Sequence, residues 1–370
     1  MKIFFDHKIF VNQNFGGPSR YFVNLVSNLN KIRNIDAKIF APLHVNNYLK
    51  LIKIKKNKFG VKIPYSEKIN NFNKIKKTLN QINDYLNKFM IKKYNPDVYH
   101  STYYDKSSLF HSSKMVITVH DLIHELFRND YGFSKNYFPK EYILKQASHI
   151  ICVSENTKKD LINIYNVNPN RISVTHLATD FPTLDNKEDY KNIIGSKYFL
   201  FVGTRWKYKN FPNLLRAISI NKNLQKNFKL VLFGGGPLKK EEVTLISELK
   251  LKIENIIYIN GNESLLKSLY AHAEFLIYPS KYEGFGIPIL ESFSQNCPVL
   301  CSNTSSLPEV ADDAALFFNP DEPEEISFTI DRFIDSSSSR NMLVKKGSER
   351  LKKFSWNKCA EQTLNIYQNL

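Results

Sequence analysis

Two carboxylates eight residues apart, Glu283 and Glu291, bracket the turn Gly284-Phe285-Gly286 and Pro288. Proline suits the first position of a helix, where a missing N–H costs nothing, so a helix is predicted to open near Ile287 or Pro288. Its unpaired amides and positive dipole end then face the glycine turn, an arrangement that holds anions. The glycines also let the amides of Gly284, Phe285 and Gly286 approach diphosphate or sugar oxygens closely. A Glu before such a site, and a second in the first turns of the helix, can each accept hydrogen bonds from hydroxyls beside a bound phosphate. A phosphate flanked by two sugars is a nucleotide-sugar, the ligand class this segment favours.

Further candidates stand where predicted strands end. Lys209 follows the strand Tyr198–Val202 in a basic loop with Arg205 and Lys207. His120 closes the strand Met115–Val119, with Asp121 placed to cap the next turn or to orient the ring. Gly16 and Gly17 open a helix that carries Tyr21, Phe22, Leu25, Val26 and Leu29. Gly234-Gly235-Gly236 permits a tight strand-to-helix turn, mainly for packing. Each has an ordinary alternative: a solvated cation for Arg205, a structural ring for His120, a plain turn for Gly16-Gly17, surface carboxylates for the two Glu.

The elements that must position these groups alternate. Strands are predicted at Ile3–Phe5, Lys38–Ala41, Asp97–His100, Met115–Val119 and His149–Val153. A second set covers Ile172–His176, Tyr198–Val202, Lys229–Phe233, Ile256–Ile259, Phe275–Tyr278, Pro298–Ser302 and Ala315–Phe317. Helical patterns lie between most of them, which implies parallel sheets covered on both faces, an α/β fold. The polar, aperiodic stretch Ala178–Ser196 reads as a linker, giving one doubly wound domain over 1–180 and another over 196–353. At 370 residues the length suits two domains. A last helix, Phe354–Leu370, has an apolar stripe of Trp356, Cys359, Ala360, Leu364 and Tyr367, with Ser355 as its cap. It is expected to pack back near the first domain.

Composition narrows the classes. Lys2, Asp6, His7 and Lys8 interrupt the early apolar run, so no signal peptide is read there, and no run of about 18 apolar residues exists to span a bilayer. Four cysteines without zinc spacing fit a reducing compartment and a cytoplasmic protein. The net charge is +17, and much of it is local: between Lys50 and Lys93 stand thirteen Lys against Glu67 and Asp84. Such a block suits an anionic partner, whether lipid, nucleic acid or acidic substrate.

With these residues in place, the chain resembles the retaining family 4 glycosyltransferases of the GT-B fold, in which two Rossmann-like domains face each other across a cleft. The Glu283–Glu291 segment carries most of the resemblance. Ser305-Ser306-Leu307-Pro308-Glu309-Val310 with Asp313-Ala314-Ala315-Leu316 comes next. Gly16-Gly17-Pro18-Ser19-Arg20-Tyr21, Val119-His120-Asp121-Leu122-Ile123, Val202-Gly203-Thr204-Arg205 with Lys209-Asn210, and Phe233-Gly234-Gly235-Gly236-Pro237 complete it. The resemblance implies that Glu283 serves the donor sugar, Glu291 the ribose, and Lys209 with Arg205 the leaving diphosphate. It places His120 near the reaction centre and Gly16-Gly17 towards the donor, with the first domain on the acceptor side. Arg205 stands one residue later than the family's Arg, where this chain has Thr204. Retention of anomeric configuration is implied, without a metal or other cofactor, and no Asp-x-Asp metal motif appears in a suitable place. The implied donor is a nucleotide-diphospho-sugar, with GDP-mannose suggested by the His120 and Ser305–Leu316 segments. The acceptor is a glycan or polyprenyl-linked hydroxyl, as in surface-polysaccharide synthesis.

Residues Ile69 to Met90 form a separate feature. Ile69, Phe72, Ile75, Leu79, Ile82, Leu86 and Phe89 recur at helical steps, with Lys68, Lys74, Lys76, Lys77 and Lys88 between them. The ordinary expectation lays this stripe on a sheet with the lysines in water. The alternative is peripheral contact of this helix, or of the Lys50–Lys62 loop, with anionic lipid at the inner face of the plasma membrane. Two other functions compete with sugar transfer: a nucleotide-sugar 2-epimerase on the same fold, and a nucleic-acid-binding protein. The second lacks any helix-turn-helix, zinc-finger or aromatic RNA-binding signature, so nucleic acid is not an expected partner.

Overall fold

Short β-branched and aromatic runs form strands, and each adjacent pair of them is parallel. The computed structural model describes residues 1–52, 57–64, 72–104, 114–131, 140–184, 192–205 and 207–370. Lys53, Lys55, Lys56, Glu67, Lys68, Ile69 and the 185–191 part of the linker lie outside the described residues, as do the side chains of Phe72 and Lys74. The chain divides into two compact units. One is Met1–Leu126, Phe133–Leu177 and Ser355–Leu370; the other is Phe127–Gly132 and Ala178–Phe354.

The first unit contains β1 (Lys2–Phe5), β2 (Asp36–His44), β3 (Lys58–Lys62), β4 (Val98–Ser101), β5 (Lys114–Val119), β6 (His149–Cys152) and β7 (Ile172–Val174). They form one seven-stranded sheet ordered β3-β2-β1-β4-β5-β6-β7. The second contains β8 (Tyr198–Val202), β9 (Lys229–Phe233), β10 (Ile256–Ile259), β11 (Leu276–Tyr278), β12 (Val299–Ser302) and β13 (Ala315–Phe318), ordered β10-β9-β8-β11-β12-β13. Helices used below are α1 (Gly17–Leu29), α2 (Phe72–Tyr94), α3 (Phe211–Ile220), α4 (Lys240–Glu248), α5 (Glu263–His272), α6 (Ile287–Ser294) and α7 (Trp356–Gln368). Each order reverses once, between β1 and β4 and between β8 and β11. Crevices for ligands open at the carboxyl ends of strands at such switch points. Separate cores fill the two units, one around Phe4, Phe40, Ile117 and Ile150, the other around Phe201, Leu214, Leu232 and Phe275.

Three local results depart from the sequence expectations. Lys58–Lys62, read as loop, is the edge strand β3, paired to β2 with an irregularity between Phe40 and Leu43. The stretch after Ala178 is not a free linker: Leu184 N–H donates to the Ser294 carbonyl at 2.7 Å, and Gln295 Nε2 donates to the Pro182 carbonyl at 2.8 Å. Phe181 packs edge-on against Tyr270.

The third departure is the rotation of α2. Among its described side chains the buried ones are Leu79, Asn83, Asn87 and Ile91, whereas the expected stripe members Ile82, Leu86 and Phe89 are exposed. The reason lies in β2, which runs past β1: the last β1 residue, Phe5, pairs with Ile39. Asn83 accepts from the Leu43 N–H at 2.9 Å and donates to its carbonyl at 2.8 Å, and Asn87 donates to the Phe40 carbonyl at 3.1 Å. Buried main-chain groups must find partners. Two asparagines supply them here, and that turns the helix.

Helix α7 belongs to the first unit and packs on α1. Ser355 caps it, accepting from Lys358 N–H, and its stripe of Trp356, Cys359, Ala360, Leu364 and Tyr367 is buried as the periodicity predicts. Tyr367 Oη lies 2.5 Å from His100 Nδ1, while His100 Nε2 meets Thr118 Oγ1 at 2.9 Å. Burial pushes His100, and also His120 at the end of β5, down to about 3.

Two outcomes follow for the first unit. Tyr367→Phe leaves a buried ring nitrogen without its partner, so unfolding free energy falls by about 1–3 kcal/mol in chemical denaturation. The two histidines titrate lower in the folded chain than in the unfolded one, where the value is about 6.5. The unfolded chain therefore binds protons first as pH falls. Their contribution is intact above about pH 6.5 and shrinks towards pH 3, each costing about 2 kcal/mol at pH 5. A melting temperature several degrees lower at pH 5 than at pH 7.5 is expected, and an unchanged one would contradict neutral burial.

Candidate functional site

The loops after β8 and β11, the two strands at the second switch point, converge on one ion pair. Lys209 Nζ lies 2.5 Å from Glu283 Oε1, both side chains only about a tenth exposed (11% and 10%). Lys209 also donates to Tyr278 Oη at 3.3 Å and sits 5.1 Å from that ring's centre. Burial, and then the neighbouring Glu283 carboxylate, push the Tyr278 phenol well above its usual value, so it stays a neutral hydroxyl. The backbone under Lys209 is fixed by Asn210, in the left-handed region at φ 58°, whose Nδ2 donates to the Pro320 carbonyl at 2.5 Å.

The Glu283 turn is held from below by hydroxyls. Ser305 Oγ accepts from Glu283 N–H at 2.8 Å and donates to its carbonyl at 2.7 Å, and Ser306 Oγ donates to the carbonyls of Glu283 and Phe285 at 2.9 Å each. Phe285 turns its ring inward against Phe354. Gly286 has φ 105°, a value that favours glycine, and α6 opens directly after it with Ile287-Pro288, as predicted. Glu291, buried in the second turn of α6, accepts from Tyr270 Oη of α5 at 3.2 Å. The supporting residues Tyr278, Tyr270, Ser305 and Ser306 had not been assigned site roles. The sequence signal for the serines is a hydroxyl run, Thr304-Ser305-Ser306, one residue after the strand Val299–Ser302.

Arg205, expected beside Lys209 at a diphosphate, is committed elsewhere. Its Nε meets Glu242 Oε1 of α4 at 2.9 Å, and its terminal nitrogens donate to the carbonyls of Gly234, Gly236 and Pro237 at 3.3, 2.8 and 2.9 Å. Its side chain is almost wholly buried. Gly234, Gly235 and Gly236 all have positive φ, and a Cβ on Gly235 would lie 2.7 Å from the Gly203 carbonyl oxygen. The glycine turn and Arg205 thus form one interlocked piece.

The first unit presents its own groups. The His120 ring lies edge-on to Tyr21 and Phe22, at 5.1 and 5.8 Å between centres. Its Nε2 is buried and has no hydrogen-bond partner among the described residues. His120 N–H donates to Tyr104 Oη at 3.2 Å. Beneath Tyr104 lies the fully buried pair Lys140–Glu125, with Nζ 2.7 and 2.8 Å from the two carboxylate oxygens. Burial first, and then the Lys140 charge, keep His120 neutral. Asp121 accepts from Ile123 N–H at 3.2 Å, which is the turn-capping one of the two roles expected of it. Gly16 precedes α1 and Gly17 begins it, with the Gln13 carboxamide oxygen accepting from Ser19 N–H at 3.3 Å over that helix end.

Family profiles match both units: "Glycosyltransferase Family 4" over residues 15–181 and "Glycosyl transferases group 1" over residues 185–350. Both units of the chain are glycosyltransferase domains. The O-antigen chain mannosyltransferase B of Escherichia coli is 32% identical over 61% of this chain and 62% of its own length. The O-antigen chain mannosyltransferase RfbU of Salmonella typhimurium is 32% identical over 56% of this chain and 57% of its own. The chain thus matches less than two thirds of either relative. Among solved structures, sucrose-phosphate synthase from Thermosynechococcus elongatus superposes with a TM-score of 0.78 at 17% identity, covering 100% of this chain and 98% of that one. Anabaena HepE, solved with UDP and glucose, gives 0.74 at 14% identity with both chains fully covered (100%). These likenesses establish the family's GT-B α/β fold.

Removing one member of the Lys209–Glu283 pair should cost more than removing both. Lys209→Met leaves a buried carboxylate without its cation, lowering stability by about 3 kcal/mol. Lys209→Met combined with Glu283→Gln should recover most of that loss in denaturant titrations. Additive losses would show that the two groups do not support each other.

Proposed function

We propose that this protein is a retaining, metal-independent glycosyltransferase that moves a hexosyl group from a nucleotide-diphospho-sugar to a hydroxyl of a glycan or lipid-linked acceptor. The single observation that carries the reading is a buried, mutually neutralising Lys209–Glu283 pair at the switch point of the second sheet. A diphosphate gives Lys209 a second anion, and the negative charge that grows as the glycosidic bond breaks strengthens that attraction. Stabilising charge that develops only in the transition state lowers the barrier directly. Glu283 then accepts from hydroxyls of the donor sugar, and Glu291 from the ribose hydroxyl pair, its carboxylate oriented by Tyr270. The amides of Gly284, Phe285 and Gly286 border the diphosphate.

In this reading Arg205 acts indirectly, by locking the Gly203–Lys209 loop to the glycine turn. In the first unit, the neutral His120 ring beside Tyr21 and Phe22 can accept or donate a hydrogen bond without adding charge. The acceptor attacks from the face the phosphate leaves, and the departing phosphate oxygen takes its proton. Catalysis then rests on positioning and charge stabilisation. The likeness to O-antigen mannosyltransferases supports mannose, from GDP-mannose, and a role in bacterial surface-polysaccharide synthesis.

A thermal-shift panel of GDP-, UDP-, ADP- and dTDP-sugars tests the donor, since a ligand that binds only the folded state raises its melting temperature. GDP-mannose is expected to give the largest shift, and Glu291→Ala to reduce it. Glu283→Gln should lower turnover by about 10²–10³, the scale for losing one preorganised electrostatic partner. No shift with any nucleotide-sugar would overturn the reading. An isomerised sugar formed from donor alone would point to an epimerase instead.

A further inference from the structure

The second unit begins at Ala178, and the residues that follow touch both helices that place Glu291. Glu291 stands on α6, and its carboxylate accepts from Tyr270 Oη of α5 at 3.2 Å. Phe181 packs edge-on against the Tyr270 ring, with centres 6.2 Å apart and planes at 75°. Lys267 Nζ lies 5.0 Å from the centre of the same Phe181 ring. Residues three apart share one face of a helix, so Phe181 seats on a single turn of α5. A few residues on, Leu184 N–H donates to the Ser294 carbonyl at 2.7 Å, and Gln295 Nε2 donates to the Pro182 carbonyl at 2.8 Å, both at the end of α6.

A connection that only joins two units needs no buried aromatic ring, since such linkers are polar and exposed. Phe181 is nonetheless buried. Its main chain is constrained too: the following Pro182 disfavours helical backbone at this position, and its N–H donates to Thr179 Oγ1 at 3.1 Å. The ring it meets is wholly buried, and Glu291 nearly so, at 0% and 5% exposure. A glutamate side chain has three rotatable bonds, so a carboxylate in such a place is aimed by its partners. The Tyr270 hydroxyl is one of them. The place of that hydroxyl follows the ring that carries it, and Phe181 supports that ring.

We propose that Phe181 is a positioning residue for Glu291: by holding the Tyr270 ring it fixes the hydroxyl that aims the carboxylate, and so it contributes to the choice of ribose over deoxyribose in the bound nucleotide. The proposal rests on the reading that Glu291 accepts from the ribose hydroxyl pair. Phe181 itself touches no ligand and acts through Tyr270. The Leu184 and Gln295 hydrogen bonds keep the same stretch of backbone against α6. The helix that carries the carboxylate and the helix that carries the hydroxyl are thus tied to one segment, residues 181–184.

The test measures dissociation constants on the full chain, by titration calorimetry, for GDP, UDP and ADP, and for the dideoxyribose form of whichever binds most tightly. The wild type should prefer the ribose form by about tenfold or more, the scale of a hydrogen bond to a charged group. Phe181→Ala should cut that preference to about threefold or less by weakening the ribose form, with the dideoxy form within about twofold of wild type. Tyr270→Phe, which deletes the hydroxyl alone, should do the same. Phe181→Leu keeps most of the buried bulk, so it folds even where Phe181→Ala does not, and it should show an intermediate preference. A residue that only stabilises the fold would weaken both ligands together and leave their ratio unchanged. That result, or an unchanged ratio in both Phe181 variants, would overturn this proposal alone. A wild type that binds nucleotide without distinguishing the two sugars would overturn the assignment of Glu291 to the ribose, and the proposal with it. Failure of all three nucleotides to bind would overturn the transferase reading itself.

Discussion

Everything at the second switch point is organised around a lysine and a carboxylate held out of water. Taking both charges out of solvent costs several kcal/mol each before their attraction is counted. The surroundings offset that cost with specific partners. Tyr278 gives Lys209 a hydroxyl and a ring face. Ser305 and Ser306 satisfy the main chain that carries Glu283. Asn210 ties the lysine's backbone to the Pro320 carbonyl. None of these side chains carries a charge, so the pair is an isolated couple of opposite charges held in place by neutral groups.

Much of this was legible in the residues. The helix start at Ile287-Pro288 could be read because proline and a positive-φ glycine have few other places to be. The parallel sheets could be read because buried strands are continuous apolar runs. Tyr198–Val202 and Lys229–Phe233 fall where such runs occur. Glu283 and Lys209 could be nominated from their positions after strands, but their 2.5 Å contact could not. That contact depends on β8 and β11 being neighbours, a pairing between residues more than seventy positions apart.

Two of the features that could not be read, the rotation of α2 and the fastening of Arg205, share a cause: polar side chains serving main-chain groups. β3 was missed because Lys58-Phe59-Gly60-Val61-Lys62 has only two apolar positions and a glycine, and its pairing comes from β2. The rotation of α2 was missed because periodicity ranks residues by hydrophobicity. By that measure Asn83 and Asn87 belong outside. Here they are inside, because leaving carbonyl and amide groups of β2 unpaired would cost more than exposing Leu86 and Phe89 does. The resemblance sets Arg205 beside Lys209 at a diphosphate, and its position in the sequence does not reveal that it is fixed by three carbonyl oxygens and Glu242.

The contrast between the two cations follows from their shapes. A guanidinium is a planar fork with five donors in fixed directions, suited to several carbonyls at once. Once Arg205 has bound the glycine turn and Glu242, moving it to a ligand would leave those carbonyls and that carboxylate unpaired inside the protein. A lysine is a single charge on a flexible stem, with three donors that can be redistributed. Lys209, holding one carboxylate oxygen and one phenol, can admit another anion while it keeps Glu283. The same basic loop therefore contains one cation suited to fastening and one suited to exchange. The division is set by how many buried acceptors each would abandon, not by how close each stands to the end of β8.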